Sequence, residues 1–459
     1  MAIPPCFPAA AGTGVHLRPL RLPSQPARPG RWLSWLLMAG LLSTAGAARA
    51  YDLQTSPYLL GDWGGLRTRL AESGVTLNLG YTGEAAHNFS GGQDKLTRYT
   101  DQWVIGATMD LDKLLGWHGG TFQMTITDRN GRNLGADAGI GNNMLIQEVY
   151  GRGQTWHMTQ FWLNQAFLDN RVQWKIGRLT VGEDFASFSC DFQNLTFCGS
   201  QPGNLVGSYW VNWPTSQWAT RLKVNTSEQT YVQAGVYQVN PNYVDDGYAR
   251  RHGLSLDNPN GTTGALIPVE VGWLPAWNGL PGSYKFGAWY NTSDGKDLYQ
   301  DINHAPRGET GLAPRERNGQ YGFYLNFEQQ VSGTAGGRGA SVFLNVSQAD
   351  RATAAQDHQI ALGLQYKGPF GLARDVIGVA IGATHNNGRY ADYVRQQDQR
   401  LGTSTKVGDG YEYVAEAYYS WSPVPSIYLR PNLQYIRHPG GTSANHDAFI
   451  VGLKTGITF

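Results

Sequence analysis

Period-two alternation, repeated about sixteen times and joined by connections of two unequal kinds, limits this chain to very few folds. The closing stretch shows the pattern most cleanly. Phe449, Val451, Leu453, Thr455, Ile457 and Phe459 form one set, apolar apart from one Thr. Ile450, Gly452, Lys454, Gly456 and Thr458 form the other, small or polar after Ile450. A period of two places such sets on opposite faces of a strand. Similar segments fall at 75–81, 98–112, 119–129, 159–168, 171–180, 217–225, 229–239 and 266–274. They continue at 283–292, 319–331, 338–348, 357–367, 374–386, 410–421, 425–437 and 447–459. Alternate connections are short, as at Lys113–His118, Asp169-Asn170, Thr226–Glu228 and Ser422–Val424. The others are mostly long, as at 130–158, 181–216, 240–265, 293–318 and 387–409. Short turns on one side and long loops on the other are the pattern of a transmembrane antiparallel β-barrel. A sandwich or propeller has no reason to sort its loops this way. An even strand number suits closure, so the expected fold is all-β, a barrel of about 16 strands over 75–459.

Mean hydropathy is −0.37, a value typical of soluble chains. A barrel escapes that measure because half of each strand faces water. Residues 1–50 hold no Asp or Glu; Arg18, Arg21, Arg28 and Arg31 precede the apolar run Trp32–Leu42, and Ala48-Arg49-Ala50 follows. This reads as a secretory signal peptide rather than a membrane helix, for which the run is too short. Its removal leaves 31 basic against 35 acidic residues, a net charge of −4. So slight a balance gives no reason to expect nucleic acid as a partner. Residues 51–74 are expected to form a periplasmic segment with one short helix, since Leu66 and Leu70 lie four apart and Gly74 supplies a stop.

Charge assigns the faces. A charged side chain facing lipid at mid-membrane costs about 2–4 kcal/mol. Glu412, Glu416, Glu328, Arg430 and Lys175 are therefore expected in the lumen, with Asn326, Asn432 and Gln434; the alternative for each is a rim position in bulk water. The loop 181–216 carries the densest local signal: Glu183, Asp184, Cys190, Cys198, Trp210 and Trp213, with aromatics, amides and carboxylates interleaved. Aromatic faces stack on sugar rings while amides and carboxylates take the hydroxyls. An inward-folded loop would narrow the pore with these groups; the alternative is an aromatic loop packed on the barrel wall. Two cysteines in an exported chain are expected to pair, with free thiols or metal ligands as the alternative.

These residues resemble a known family. Gly61-Asp62-Trp63-Gly64-Gly65-Leu66-Arg67-Thr68-Arg69-Leu70, Gly74-Val75 and Tyr81-Thr82-Gly83-Glu84 are similar to the opening of carbohydrate-selective porins of the OprB type. Gly177-Arg178-Leu179, Gly182-Glu183-Asp184-Phe185-Ala186, Cys190 and Phe197-Cys198-Gly199 resemble that family's internal signature. The likeness spans 51–459. It implies a sixteen-stranded porin in the outer membrane of a Gram-negative bacterium, passing glucose and related sugars by facilitated diffusion. It also implies pairing of Cys190 with Cys198. Arg178 is expected on the pathway with Lys175, Glu183 and Asp184, a placement the likeness does not supply.

An enzyme on a barrel is the main competitor, yet Gly-x-Ser-x-Gly, His-Glu-x-x-His and a phosphate-binding Gly-rich loop before a helix do not occur. A secreted polysaccharide-binding β-protein would leave the loops unsorted. No catalytic residue, metal site or cofactor is expected. The expected partners are carbohydrate solutes, outer-membrane lipid and, through Phe459, the barrel-assembly machinery. A homo-oligomer is compatible with the pattern, because a lipid-facing strand can meet another copy.

Overall fold

A computed structural model describes residues 52–459; the expected signal peptide lies outside them. Helix α1 (Leu66–Glu72) precedes the first strand. The long strands are β1 (Val75–Asn88), β2 (Thr97–Asp110), β3 (Gly120–Gly131), β4 (Trp156–Phe167), β5 (Val172–Leu179), β6 (Gln217–Asn225), β7 (Thr230–Val239) and β8 (Gly264–Trp273). They continue as β9 (Leu280–Asn291), β10 (Gln320–Gln330), β11 (Gly339–Ala349), β12 (Gln356–Lys367), β13 (Val376–Asn386), β14 (Tyr411–Val424), β15 (Ile427–Arg437) and β16 (Ala448–Thr458). Each pairs antiparallel with its neighbour in sequence. The ring closes where β1 pairs with β16, from Gly80 opposite Thr458 to Asn88 opposite Ile450. Sixteen strands thus form one barrel without a free edge.

The exterior is the apolar face. Leu222, Val269, Ile381, Leu433, Val451 and Leu453 are all exposed, while Glu270, Glu412, Glu416, Gln434 and Lys454 are buried. A soluble fold would show the reverse. No described helix is long and apolar enough to cross a membrane, so the crossing is made by strands.

Three segments depart from expectation. Strand β1 runs on to Asn88 instead of stopping at Tyr81, because both β2 and β16 pair with that extension. The turn expected at Lys113–His118 begins as a short helix, α2 (Leu111–Leu115), with the Asp110 carboxylate capping the amides of Asp112 and Lys113. The long connection after β13 contains a fourteen-residue helix, α3 (Gly388–Leu401). The Asn387 side chain caps its start, Gly402 ends it at φ 68°, and Ala391 and Val394 are buried beneath it.

The hydrophobic core lies inside the ring, where two long connections fold into it. Leu134, Ile140, Ile146, Phe192 and Phe197 pack on Phe343, Tyr418, Ile436 and Ile450 of the wall. Phe185, Tyr209 and Trp210 pack on Tyr237, Leu266, Trp289 and Tyr324. Residues 132–155 and 180–216 are therefore interior elements. The inward fold of the first was not foreseen.

Candidate functional site: a lumen narrowed by two clamped loops

Wall carboxylates hold the inserted loops by their backbone. Glu416 on β14 accepts the amides of Gln193 and Asn194, both at 2.8 Å. Glu412 accepts those of Asn143 at 2.7 Å, Met144 at 3.3 Å and Gly440 at 2.8 Å. Glu84 on β1 accepts Val149 at 3.3 Å, and Glu270 on β8 accepts Ala186 at 2.8 Å. A carboxylate accepting N–H groups away from water makes a strong, charge-assisted hydrogen bond. Alternation placed Glu412 and Glu416 in the lumen, and they do point inward. They are nonetheless fully engaged, and present no free oxygen chain along the path.

Two mixed-charge clusters complete the anchorage. Lys454 Nζ reaches Glu148 at 2.9 Å, Glu84 at 3.3 Å and the carbonyls of Cys190 and Phe192 at 2.8 and 3.0 Å. Arg430 donates to the Asp191 carbonyl and lies between the rings of Tyr418 and Tyr428. On the opposite wall Asp184 joins Lys175 at 3.1 Å and Arg221 at 3.3 Å, while Glu183 accepts from Gln160 at 2.5 Å. Lys175 also sits over the Trp162 ring, 4.4 Å from its centre. Lys175 on the wall thus meets the loop carboxylate of Asp184, with Glu183 next to it in the chain.

Other expected residues stand elsewhere. Trp210 has 0 % of its surface exposed; its Nε1 donates to Ser200 Oγ at 2.9 Å, and its ring meets Trp289 and Tyr324 edge-on. It packs the loop on the wall and has no face left for a solute. Trp213 is half-buried and donates to Gln102. Arg178 bridges the end of the loop and residues 240–263, donating to the carbonyls of Ser216 and Ser255. Glu328 is exposed, with the Lys285 ammonium near it. Asn326, Asn432 and Gln434 are buried on the inner wall, where Asn432 donates to Gln193 Oε1 and Gln434 accepts from Asn194.

Cys190 and Cys198 form a disulfide that closes the tip of the inserted loop. Glu148 approaches both sulfurs, but a disulfide offers no thiolate to a metal. Gly182 of the signature has a packing reason: a Cβ there would overlap the Asn212 amide, which also presses on Gly203 and donates to Ser200 O at 2.8 Å. Sequence reading missed Glu84, Glu270, Lys285 and Lys454 as inward groups. Lys454 and Glu270 lie in the polar sets of their strands, so alternation held the signal; Glu84 was hidden in a strand judged too short.

A closed barrel with an apolar exterior, a polar interior and loops that narrow it is a transmembrane pore. A family model described as the carbohydrate-selective porin, OprB family, matches residues 94–459. Porin B of Pseudomonas aeruginosa is 43 % identical over 442 residues, covering 92 % of this chain and 95 % of that protein. The putative porin QuiX of Acinetobacter baylyi is 35 % identical, covering 88 % and 94 %. The high-pH structure of Pseudomonas putida OprB superposes with a TM-score of 0.85 at 41 % identity, over 88 % of this chain and 99 % of that one. This chain belongs to the OprB family of carbohydrate-selective porins. It is a sugar channel of the Gram-negative outer membrane, not an enzyme.

Proposed function

We propose that the pore passes glucose and related neutral sugars through the space left between the clamped loops and the opposite wall. The carrying observation is that the two inserted loops are anchored by buried carboxylates, so the constriction is a built part of the barrel. Lys175, Glu183, Asp184, Trp213, Glu328 and Arg430, together with Trp162 and Lys285, supply its wall. Cations and carboxylates alternate there, which favours hydroxyl-rich neutral solutes over ions of one sign. Trp162 and Trp213 remain accessible enough to meet a sugar ring. Arg178, Trp210, Glu412 and Glu416 support the constriction from behind. Binding must stay weak, since a tightly held solute does not leave. Phe459 serves as the handle for barrel assembly; its ring stacks on Trp103, with centroids 5.7 Å apart. Copies that associate would do so through lipid-facing strands.

Purified protein in a planar bilayer is expected to give steady conductance that glucose or a glucose oligomer reduces reversibly. Salts of differing cation and anion should shift the reversal potential little. Absence of conductance, or conductance indifferent to every sugar, overturns this reading.

A further inference from the structure

The outward face of β14 is low over two successive outward positions of the apolar belt. Ala415 and Ala417 are small there, while their neighbours across the strands are large. Ala417 lies between Val379 and Leu433, and Ala415 between Ile381 and Tyr435. Low residues flanked by high ones leave a furrow along the strand. Two depressions follow it, of about 570 and 810 Å³, sharing Leu362, Ile381, Ala415 and Tyr435. The furrow leads toward the side of the barrel bearing the long loops, which is the outer leaflet.

At its mouth the chemistry changes. Tyr413 and Arg437 face one another in register, with His438 next and edge-on to the Tyr413 ring. Arg437 is exposed, and its guanidinium makes no hydrogen bond or ion pair among the described residues. Asp447 is near enough to feel its charge but is engaged elsewhere: the carboxylate accepts from Tyr435 OH at 2.6 Å and from the His438 amide at 2.9 Å. Beyond His438 a third, polar depression is lined by Lys95, His446 and Asp447. The rim above the furrow thus carries Arg437 and Lys95 beside the already engaged carboxylate of Asp447.

The geometry points to a binding site for a phosphorylated lipid of the outer leaflet, with one acyl chain on Ala415 and Ala417 and the phosphate on Arg437 and His438. Arg is suited to this task because its planar fork matches two phosphate oxygens. An apolar furrow alone would serve any chain or a second barrel. The free guanidinium at its mouth, level with the aromatic belt of Tyr411, Tyr413 and Tyr435, selects a chain that carries an anion at headgroup height.

Native mass spectrometry of the full protein released from micelles tests this, with diphosphoryl lipid A as the probe. Arg437→Gln is expected to weaken binding about fivefold, the worth of one basic side chain near an anionic lipid headgroup. Ala417→Leu, which fills the furrow, should weaken it as well. Both variants should keep the electrophoretic mobility of a folded barrel and a wild-type, sugar-blocked current, because neither residue faces the lumen. Excess inorganic phosphate should fail to displace the lipid. Unchanged binding in both variants overturns the site. Displacement by inorganic phosphate reduces it to a bare anion contact and overturns the lipid. An oligomer that Ala417→Leu dissociates, with lipid stoichiometry unchanged, assigns the furrow to a second copy instead.

Discussion

The inner-wall glutamates act on the pore by holding backbone. Glu416 is 3 % exposed, and both its oxygens are taken by loop amides. Glu416→Ala strands two amides and loosens residues 191–195 by on the order of 3 kcal/mol. Single-channel conductance should rise and become noisier, while Glu416→Gln, which keeps one acceptor, should change it less. A conductance identical in the Ala variant would mean that the loop is held by its apolar packing alone. Charge and alternation made the inward direction of Glu412, Glu416, Arg430 and Lys175 legible in the sequence. Their partners were not legible, since Gln193 lies 223 positions from Glu416 and no local pattern links them. Trp210 shows the converse error. An aromatic residue amid amides reads as a sugar platform, but only the fold reveals that Trp289 and Tyr324 already occupy its faces.

Among the elements, the long connections carry more structure than alternation can report. The short hairpin of Gly295–Asp301 and Pro314–Arg317 meets α3 at the Tyr299 hydroxyl, which accepts from Gln396, and at one carboxylate. Asp297 is fully buried and joins Arg317 at 2.5 Å and Arg389 at 2.8 Å. Burial alone would raise its carboxyl. The amides of Gln300 and Tyr299 and the two guanidiniums outweigh that and hold it at about 2. A depressed folded-state value stabilises above the unfolded pKa, near 3.8, and the benefit goes as pH falls through about 2. Amide exchange in residues 292–319 should thus be as slow at pH 5 as at pH 7, after correction for intrinsic rates. Asp297→Asn should speed it at both, and faster exchange at pH 5 in the wild type would contradict the assignment. The signals for α3 were present, with Asn387 before it and Gly402 after it. Its apolar stripe is thin, with Ala391 and Val394 its buried residues, so the helical period stands out weakly. Strand positions were better defined, since alternation is a direct record of the two faces.

At the scale of the whole molecule, topology was the most legible level. Sorted connections and an apolar alternate set require closure, and the strands close in the order of the chain. Closure joins distant parts: the Phe459 amide donates to Leu79 O at 3.0 Å, and Arg67, before the first strand, donates to Phe459 O at 2.6 Å. Arg67 is itself stacked on Tyr58 and Trp63. Phe459→Ala should lower the folded protein found in outer membranes, with the deficit appearing as unfolded chain in fractionated cells. Equal levels would remove the assembly role proposed for that ring. The backbone clamps have one more consequence, for heredity. An amide N–H is common to every residue but proline, so a wall glutamate recognises where a loop passes and not what it is made of. Loop positions whose side chains are not themselves bonded to the wall can be exchanged while the docking persists; at 193 and 194 the bonds to Asn432 and Gln434 restrict the choice. A barrel held in this way can acquire a new filter by drift in its loops, with its frame left untouched.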